Sequence, residues 1–227
     1  MTVKNRLKQL VIRLMGGPPA TLASQAAYAL WADGYPPHAH NPFMALDEAL
    51  IARLLPDVRG LHVLDLACGS GRYARLLRER GAAAVEAADN SAPMLRAGAV
   101  ARGVCASFEA LPYPAAAFDG VVCALAIGHT PRLNAVTAEI ARVLRPGGWA
   151  ILTDVHPFQA LRGAQRTFTA HGTTYAVEHH IHLFADYFAA AAAHGLRVAR
   201  LEEHVPDGPA RWPLLCALVL EKPARQP

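Results

Sequence analysis

The spacing of apolar residues changes character twice along the chain. Up to residue 56 they recur at helical spacing; from 61 to 155 they gather into short runs separated by helix-period stretches; beyond 195 two more runs follow each other directly. Val3, Leu7, Leu10, Val11 and Leu14 predict a capping helix that Gly16-Gly17-Pro18-Pro19 breaks. Ser24 is an expected N-cap for a helix over Gln25–Asp33, stopped by Gly34 and Pro36-Pro37. Asn41-Pro42 opens an amphipathic helix with Phe43, Leu46, Leu50, Leu54 and Leu55 on one side, closed by Pro56.

The middle of the chain predicts strands over Leu61–Leu66, Ala84–Ala88, Val104–Phe108, Phe118–Ala126 and Trp149–Val155. Between them fall helices over Arg72–Arg80, Ala92–Ala101 and Arg132–Leu144. Strands alternating with helices mean βαβ units and a parallel sheet covered on both faces. Leu196–His204 and Trp212–Leu220 have no helix between them and are expected to pair as an antiparallel hairpin at the sheet edge. Residues 156–184 read as an insertion before a helix over Ala185–His194.

At 227 residues the chain is one domain with a small attachment. The expected units are an N-terminal helical cap over 1–40 and a main domain over 41–227, with a substrate-cap insertion at about 156–184. A composition 53% hydrophobic and 18% charged excludes disorder. No apolar run approaches the roughly 18 residues of a membrane span, and Arg13 splits the only candidate leader stretch, Leu10–Met15. Cys68, Cys105, Cys123 and Cys216 contain no CxxC pair, which suits reduced thiols and a cytoplasmic location. The net charge of +4 comes without a dense basic block, so neither nucleic acid nor an integral membrane association is expected. Whether the chain is a monomer or a homodimer does not follow from the sequence.

The chemistry concentrates where the first strand ends, in Val63-Leu64-Asp65-Leu66-Ala67-Cys68-Gly69-Ser70-Gly71-Arg72-Tyr73-Ala74. A buried strand runs into a glycine-rich turn that opens a helix, the place where open α/β sheets bind ligands. Asp89 ends the second strand, where a carboxylate can accept from both hydroxyls of a ribose. The pattern Gly69-x-Gly71-x-x-Ala74 also suits a nicotinamide dinucleotide, and an NAD(P)-dependent oxidoreductase is the competing enzyme class. Asp65 argues against it: a carboxylate aimed into the turn repels a pyrophosphate and attracts an ammonium group. The plainer role for Asp65 is to hold the loop through backbone N–H groups.

Val63–Gly71 resembles motif I of the class I S-adenosylmethionine-dependent methyltransferases, in the small-molecule, ubiquinone-biosynthesis-like branch (methyltransferase type 11). Ala88-Asp89-Asn90-Ser91-Ala92-Pro93-Met94-Leu95 resembles the second motif. Glu109–Pro114, Phe118-Asp119 and Leu144-Arg145-Pro146-Gly147-Gly148 continue the likeness at the expected spacing. The resemblance implies a Rossmann-like α/β fold: a mostly parallel seven-stranded sheet with a C-terminal antiparallel hairpin, helices on both faces and the N-terminal helical cap. It implies S-adenosyl-L-methionine as cofactor, held by Asp65, Ala67, Cys68, Gly69, Gly71, Asp89, Asn90, Met94, Ser107, Phe108 and Leu125. Ala67 stands where the family often has glycine, and Ser107 where an acid often contacts the adenine.

A base for methyl transfer belongs at the sheet's carboxyl edge, and His129 and His156, which follow the fourth and fifth strands, are the catalytic candidates. The alternative for each is a histidine that anchors its loop. Glu178, His180 and His182 would share one face of a strand; a polar, substrate-lining face is favoured over a metal site, and no metal is assigned. Tyr28, Trp31 and Tyr35 precede the sheet and are expected to wall a substrate pocket. The expected activity is methyl transfer to a small-molecule acceptor, at oxygen, in biosynthetic or secondary metabolism. Carbon or nitrogen methylation and a non-methylating reaction on the same cofactor are the alternatives.

Overall fold

The computed structural model describes residues 18–100, 103–206 and 212–224. The helix expected over residues 3–14 lies outside them. Five strands of the main sheet run parallel: β2 (His62–Leu66), β3 (Ala84–Asp89), β4 (Gly103–Cys105), β5 (Phe118–Ala124) and β6 (Leu144–Val155). Two antiparallel strands, β9 (Arg197–His204) and β10 (Leu215–Glu221), complete the order β4-β3-β2-β5-β6-β10-β9. The expected hairpin is therefore present, with β10 inserted between β6 and the edge strand β9.

Both faces of this sheet are covered, which is why the centres of β2, β5 and β6 carry adjacent apolar residues rather than an alternation. Leu64, Leu66, Val121, Cys123 and Leu152 pack against α5 (Leu133–Val143) and α7 (Phe184–Ala193). Val63, Val85, Val122 and Ile151 face the other way, toward α2 (Pro42–Leu54) and α3 (Arg72–Glu79). Val121 and Val122 are each 0% exposed, and burying such a side chain contributes about 1.5–3 kcal/mol. The Asn41 side chain caps α2 by accepting from the Met44 N–H at 2.9 Å, with Pro42 at the first helical position.

Several boundaries differ from the sequence expectation: β4 ends at Cys105 and not Phe108, β5 at Ala124 and not Ala126, and β10 begins at Leu215 and not Trp212. Three more differences have a visible backbone cause. The helix α1 (Ser24–Trp31) is capped by Ala23 without a side-chain bond, so Ser24 is its first residue rather than its cap. The helix α4 (Ala92–Ala97) stops at Gly98, four residues early, where the backbone lies against Ser70. The strand β6 begins at Leu144, so Pro146-Gly147-Gly148 lies within it; Gly147 N–H bonds the Lys222 carbonyl at 2.8 Å across the sheet.

The insertion is not a loose excursion. After α6 (Pro157–Leu161) it forms a hairpin, β7 (Thr167–Ala170) and β8 (Thr173–Val177), and β8 pairs in parallel with β1 (Ala20–Leu22). A small apolar core joins the two segments, with Trp31 stacked on Phe168 at a centroid distance of 4.8 Å. The strand β1 was not expected, because three residues beside a proline pair carry no period.

Candidate active site

The turn after β2 is built by backbone geometry that the sequence supplies residue by residue. Gly71, at φ 78° and ψ 26°, occupies the left-handed region as the N-cap of α3, and Gly69 has φ 55°. Two non-glycine residues adopt the same region where strands end at the site: Ala67 (φ 56°) after β2 and Leu125 (φ 55°) after β5. Such backbone costs roughly 1–2 kcal/mol per residue and collects at functional sites.

Asp89 fastens this turn to the next one. One carboxylate oxygen accepts from Gly69 N–H at 2.7 Å and the other from Ser91 N–H at 2.8 Å. Burial pushes its pKa up, and those two N–H bonds pull it back. Asp65 accepts from Ala74 N–H in the first turn of α3 at 2.7 Å and is 1% exposed. Burial, with a smaller contribution from the Asp89 charge, raises it to about 7. The Asp65 side chain thus holds the helix start and stays out of the cavity wall. Cys68 does line the cavity, but burial pushes its thiol far up and it offers no thiolate.

A cavity of about 70 Å³ lies over the turn, walled by Ala67, Cys68, Gly69, Asp89, Asn90, Met94, Phe108, Leu125 and His129, with Tyr28, Tyr35 and Arg166 completing its lining. Beside it is a larger, mainly apolar cavity of about 740 Å³, lined among others by Trp31, Phe43, Leu46, Val155, His179 and Leu214. Tyr35 and Arg166 belong to both walls. The donor set over the turn suits a nucleoside. Asp89 spends one bond per oxygen and keeps acceptor capacity for a diol, while Met94, Phe108 and Leu125 supply apolar walls for a purine. Only the volume is short of the roughly 300–1,000 Å³ of ligand pockets. The rings of Tyr28 and Tyr35 line the cavity's open side, and a nucleoside needs them turned outward.

The residue just before β7 brings a charge with it. Arg166 Nη1 donates to the Tyr28 hydroxyl at 2.7 Å, to the Leu125 carbonyl at 3.0 Å and to His129 Nε2 at 3.0 Å. A guanidinium only donates, so His129 Nε2 is an acceptor and its proton sits on Nδ1, 3.2 Å from the Glu178 carbonyl. Burial and the Arg166 charge lower the His129 pKa to about 3. His129 is therefore neutral near pH 7, with its free lone pair already engaged by Arg166 and by the Tyr28 hydroxyl at 3.1 Å.

The other candidates lie elsewhere. His156 lines neither cavity; its Nδ1 caps α6 through Phe158 N–H at 3.1 Å, and its Nε2 is 2.8 Å from Glu203. Ser107 is exposed and accepts from Glu109 N–H. The strand expected through Glu178–His182 is not formed, because Glu178 N–H bonds Leu22 and His180 N–H bonds Gly128, so no continuous ladder develops. His180 and His182 consequently share no face: His182 Nε2 donates to the Thr130 carbonyl at 2.8 Å, and His180 lies 3.7 Å from Glu178. Sequence reasoning did not single out Arg166 or His179; neither sits in a motif, and only the folded hairpin carries Arg166 to the site.

Comparison with known proteins adds to this geometry. Residues 64–152 match the profile of a methyltransferase domain family. The malonyl-[acyl-carrier protein] O-methyltransferase of Salmonella typhimurium is 36% identical over 135 residues, 58% of this chain and 53% of that protein. The 24-methylenesterol C-methyltransferase 2 of Oryza sativa subsp. japonica is 33% identical over 123 residues, 50% of this chain and 34% of that protein. The chain thus spans about half or less of the length of these curated relatives. In fold it is similar to an S-adenosylmethionine-dependent methyltransferase described as putative from Listeria monocytogenes, with a TM-score of 0.67 at 19% identity over 78% of this chain and 98% of that one.

Proposed function

We propose, from the premise that residues 64–152 belong to the class I S-adenosylmethionine-dependent methyltransferases, that this protein transfers a methyl group to a small-molecule acceptor at an oxygen atom. The observation that carries the reading is the meeting of the Asp89-fastened glycine turn with a second, apolar cavity across a shared wall. One cavity suits the adenosyl half of the cofactor and the other suits an acceptor.

S-adenosylmethionine supplies an electrophilic methyl on a sulfonium that leaves as a neutral thioether, so the chain's own task is alignment and exclusion of water. Asp89 holds the ribose hydroxyls, and Met94, Phe108 and Leu125 flank the purine. Residues 18–40 and 156–184 form the cap, whose Tyr28 and Tyr35 shield the reacting centre. His129 keeps Arg166 and Tyr28 in place as an acceptor. Relatives of this chain include an O- and a C-methyltransferase, so the choice of oxygen rests on the site. Its lid-borne cation, Arg166, is a donor-only group that suits an oxygen and offers nothing to a carbon or an amine N–H.

Calorimetric titration with S-adenosylhomocysteine, beside NAD and NADP, tests the reading. Saturable binding of the homocysteine nucleoside alone, weakened by Asp89→Ala, is the expected result. Binding of a dinucleotide in its place overturns it.

A further inference from the structure

We infer that Arg166 is the recognition group for a carboxylate, and that the molecule filling the larger cavity is a small apolar body carrying that carboxylate as the methyl acceptor. This rests on the methyltransferase reading above and specifies its substrate class.

Arg166 brings a full positive charge into a partly buried place with no carboxylate within ion-pair distance among the described residues. The buried acids whose charges reach it are committed elsewhere. Asp47 bonds Arg72, Tyr73 and Thr153. Asp154 accepts from the backbone N–H groups of Gly128 and Val155, at 2.5 and 2.7 Å. The three partners that Arg166 does have are a hydroxyl, a carbonyl and a neutral imidazole, so its charge is solvated by dipoles and not cancelled. A cation kept in this state is an incomplete ion pair.

The geometry of the fork leaves room for the missing partner. All three protein bonds use Nη1, while Nε and Nη2 have no bonded partner among the described residues. Those two N–H groups lie on one edge of the planar guanidinium, the edge that takes a carboxylate with two parallel bonds. Arg166 also stands in the wall common to both cavities. A carboxylate held there lies at the boundary between cofactor and acceptor spaces, with its apolar body against Trp31, Phe43, Leu46 and Leu214.

The same substrate class removes a difficulty at His129. That imidazole is neutral, and its acceptor nitrogen is filled by Arg166 and Tyr28, so the site holds no free base there. An alcohol would need one. A carboxylate is ionised at neutral pH. Its oxygen lone pair forms the bond to the methyl carbon while the carbon–sulfur bond breaks with its electrons to sulfur. Anion and sulfonium become a neutral ester and a neutral thioether, and no proton moves.

The test is calorimetric titration of the full chain, saturated with S-adenosylhomocysteine, with octanoate and 3-phenylpropanoate and with the amides of both. Hydrogen bonds to a charged group are worth enough that at least one acid should bind about tenfold or more tighter than its amide. In Arg166→Gln that preference should vanish, and Arg166→Lys should retain part of it. Equal binding of acid and amide by the unsubstituted protein, or no binding of either acid at millimolar concentration, overturns the inference without recourse to any variant. Retention of the preference in Arg166→Gln also overturns it. If S-adenosylhomocysteine itself fails to bind, the methyltransferase reading has failed first, and the two outcomes are thereby separated.

Discussion

Gly98→Ala offers a direct check on how the cofactor turn is held. Gly98 ends α4 with φ −78° and ψ −5°, a conformation that alanine adopts without strain. The obstacle is purely steric: a Cβ at this position would stand 2.4 Å from the Ser70 carbonyl oxygen, 2.6 Å from Ser70 Cα and 2.7 Å from its carbonyl carbon. All three are backbone atoms in the glycine-rich turn, so no flexible side chain can swing clear. Ordinary contact near 3.4 Å requires the turn and α4 to part by about 1 Å. Overpacking of this kind costs about 1–3 kcal/mol. With a urea m-value of about 3 kcal/mol/M for a chain this long, the unfolding midpoint should drop by roughly 0.3–1 M. A misplacement of about 1 Å in the residues that align a ligand can cost on the order of 10²-fold, and S-adenosylhomocysteine affinity should fall by at least tenfold. Gly34→Ala is the control, since its Cβ would meet nothing within 4 Å and its φ lies outside the left-handed range. That variant should keep its affinity and lose no stability. If Gly98→Ala binds and unfolds like Gly34→Ala, the tight seating of α4 on the turn is refuted.

Three further outcomes follow from the same geometry. Ala67→Gly relieves a left-handed alanine and should raise stability by up to about 1 kcal/mol, or a melting temperature higher by about 2–4 °C, with cofactor affinity unchanged. The His129 pKa is depressed to about 3 against about 6.5 in the unfolded chain, so its contribution is present above pH 6.5 and lost as pH falls toward 3, by up to about 5 kcal/mol; urea midpoints from pH 7 to 4 should fall less steeply in His129→Gln. Asp47→Ala strands the buried Arg72 guanidinium and should cost about 3–5 kcal/mol, whereas Asp119→Ala, which breaks a more exposed pair with Arg145, should cost about 1 kcal/mol; denaturant midpoints of equal size for the two would contradict the burial argument.

The sheet was legible because burial on two faces leaves a simple trace: the centres of β2, β5 and β6 carry adjacent apolar residues, Val63-Leu64, Val121-Val122-Cys123-Ala124 and Trp149-Ala150-Ile151-Leu152, where a one-sided strand would alternate. The turn was legible because only a few residue types adopt its backbone. Arg166 was invisible for the opposite reason. It precedes a four-residue strand in a polar stretch, and its placement depends on β8 pairing with β1, about 150 residues away in sequence. Periodicity carries no information about such a partner. The histidines show a related limit: alternation through Glu178–His182 looks like a strand face, yet strand structure needs a neighbour to bond, and here Leu22 and Gly128 each take a single N–H. Asp65 illustrates a third: its type and position were evident, while the choice between ligand contact and helix support depended on which way its oxygens faced.

The parallel pairing of β1 with β8 has a consequence for anyone who would exchange parts of this protein. Residues 20–22 and 173–177 complete one small sheet, and Trp31 stacks across it onto Phe168. Neither segment is a self-sufficient module. A chimera that imports the corresponding insertion from a relative must import that relative's matching amino-terminal strand and aromatic helix as well, or leave an unpaired sheet edge and a split aromatic stack. The unit of inheritance for this small sheet is two distant stretches of chain, and swaps that respect both should fold where swaps of the insertion alone should not.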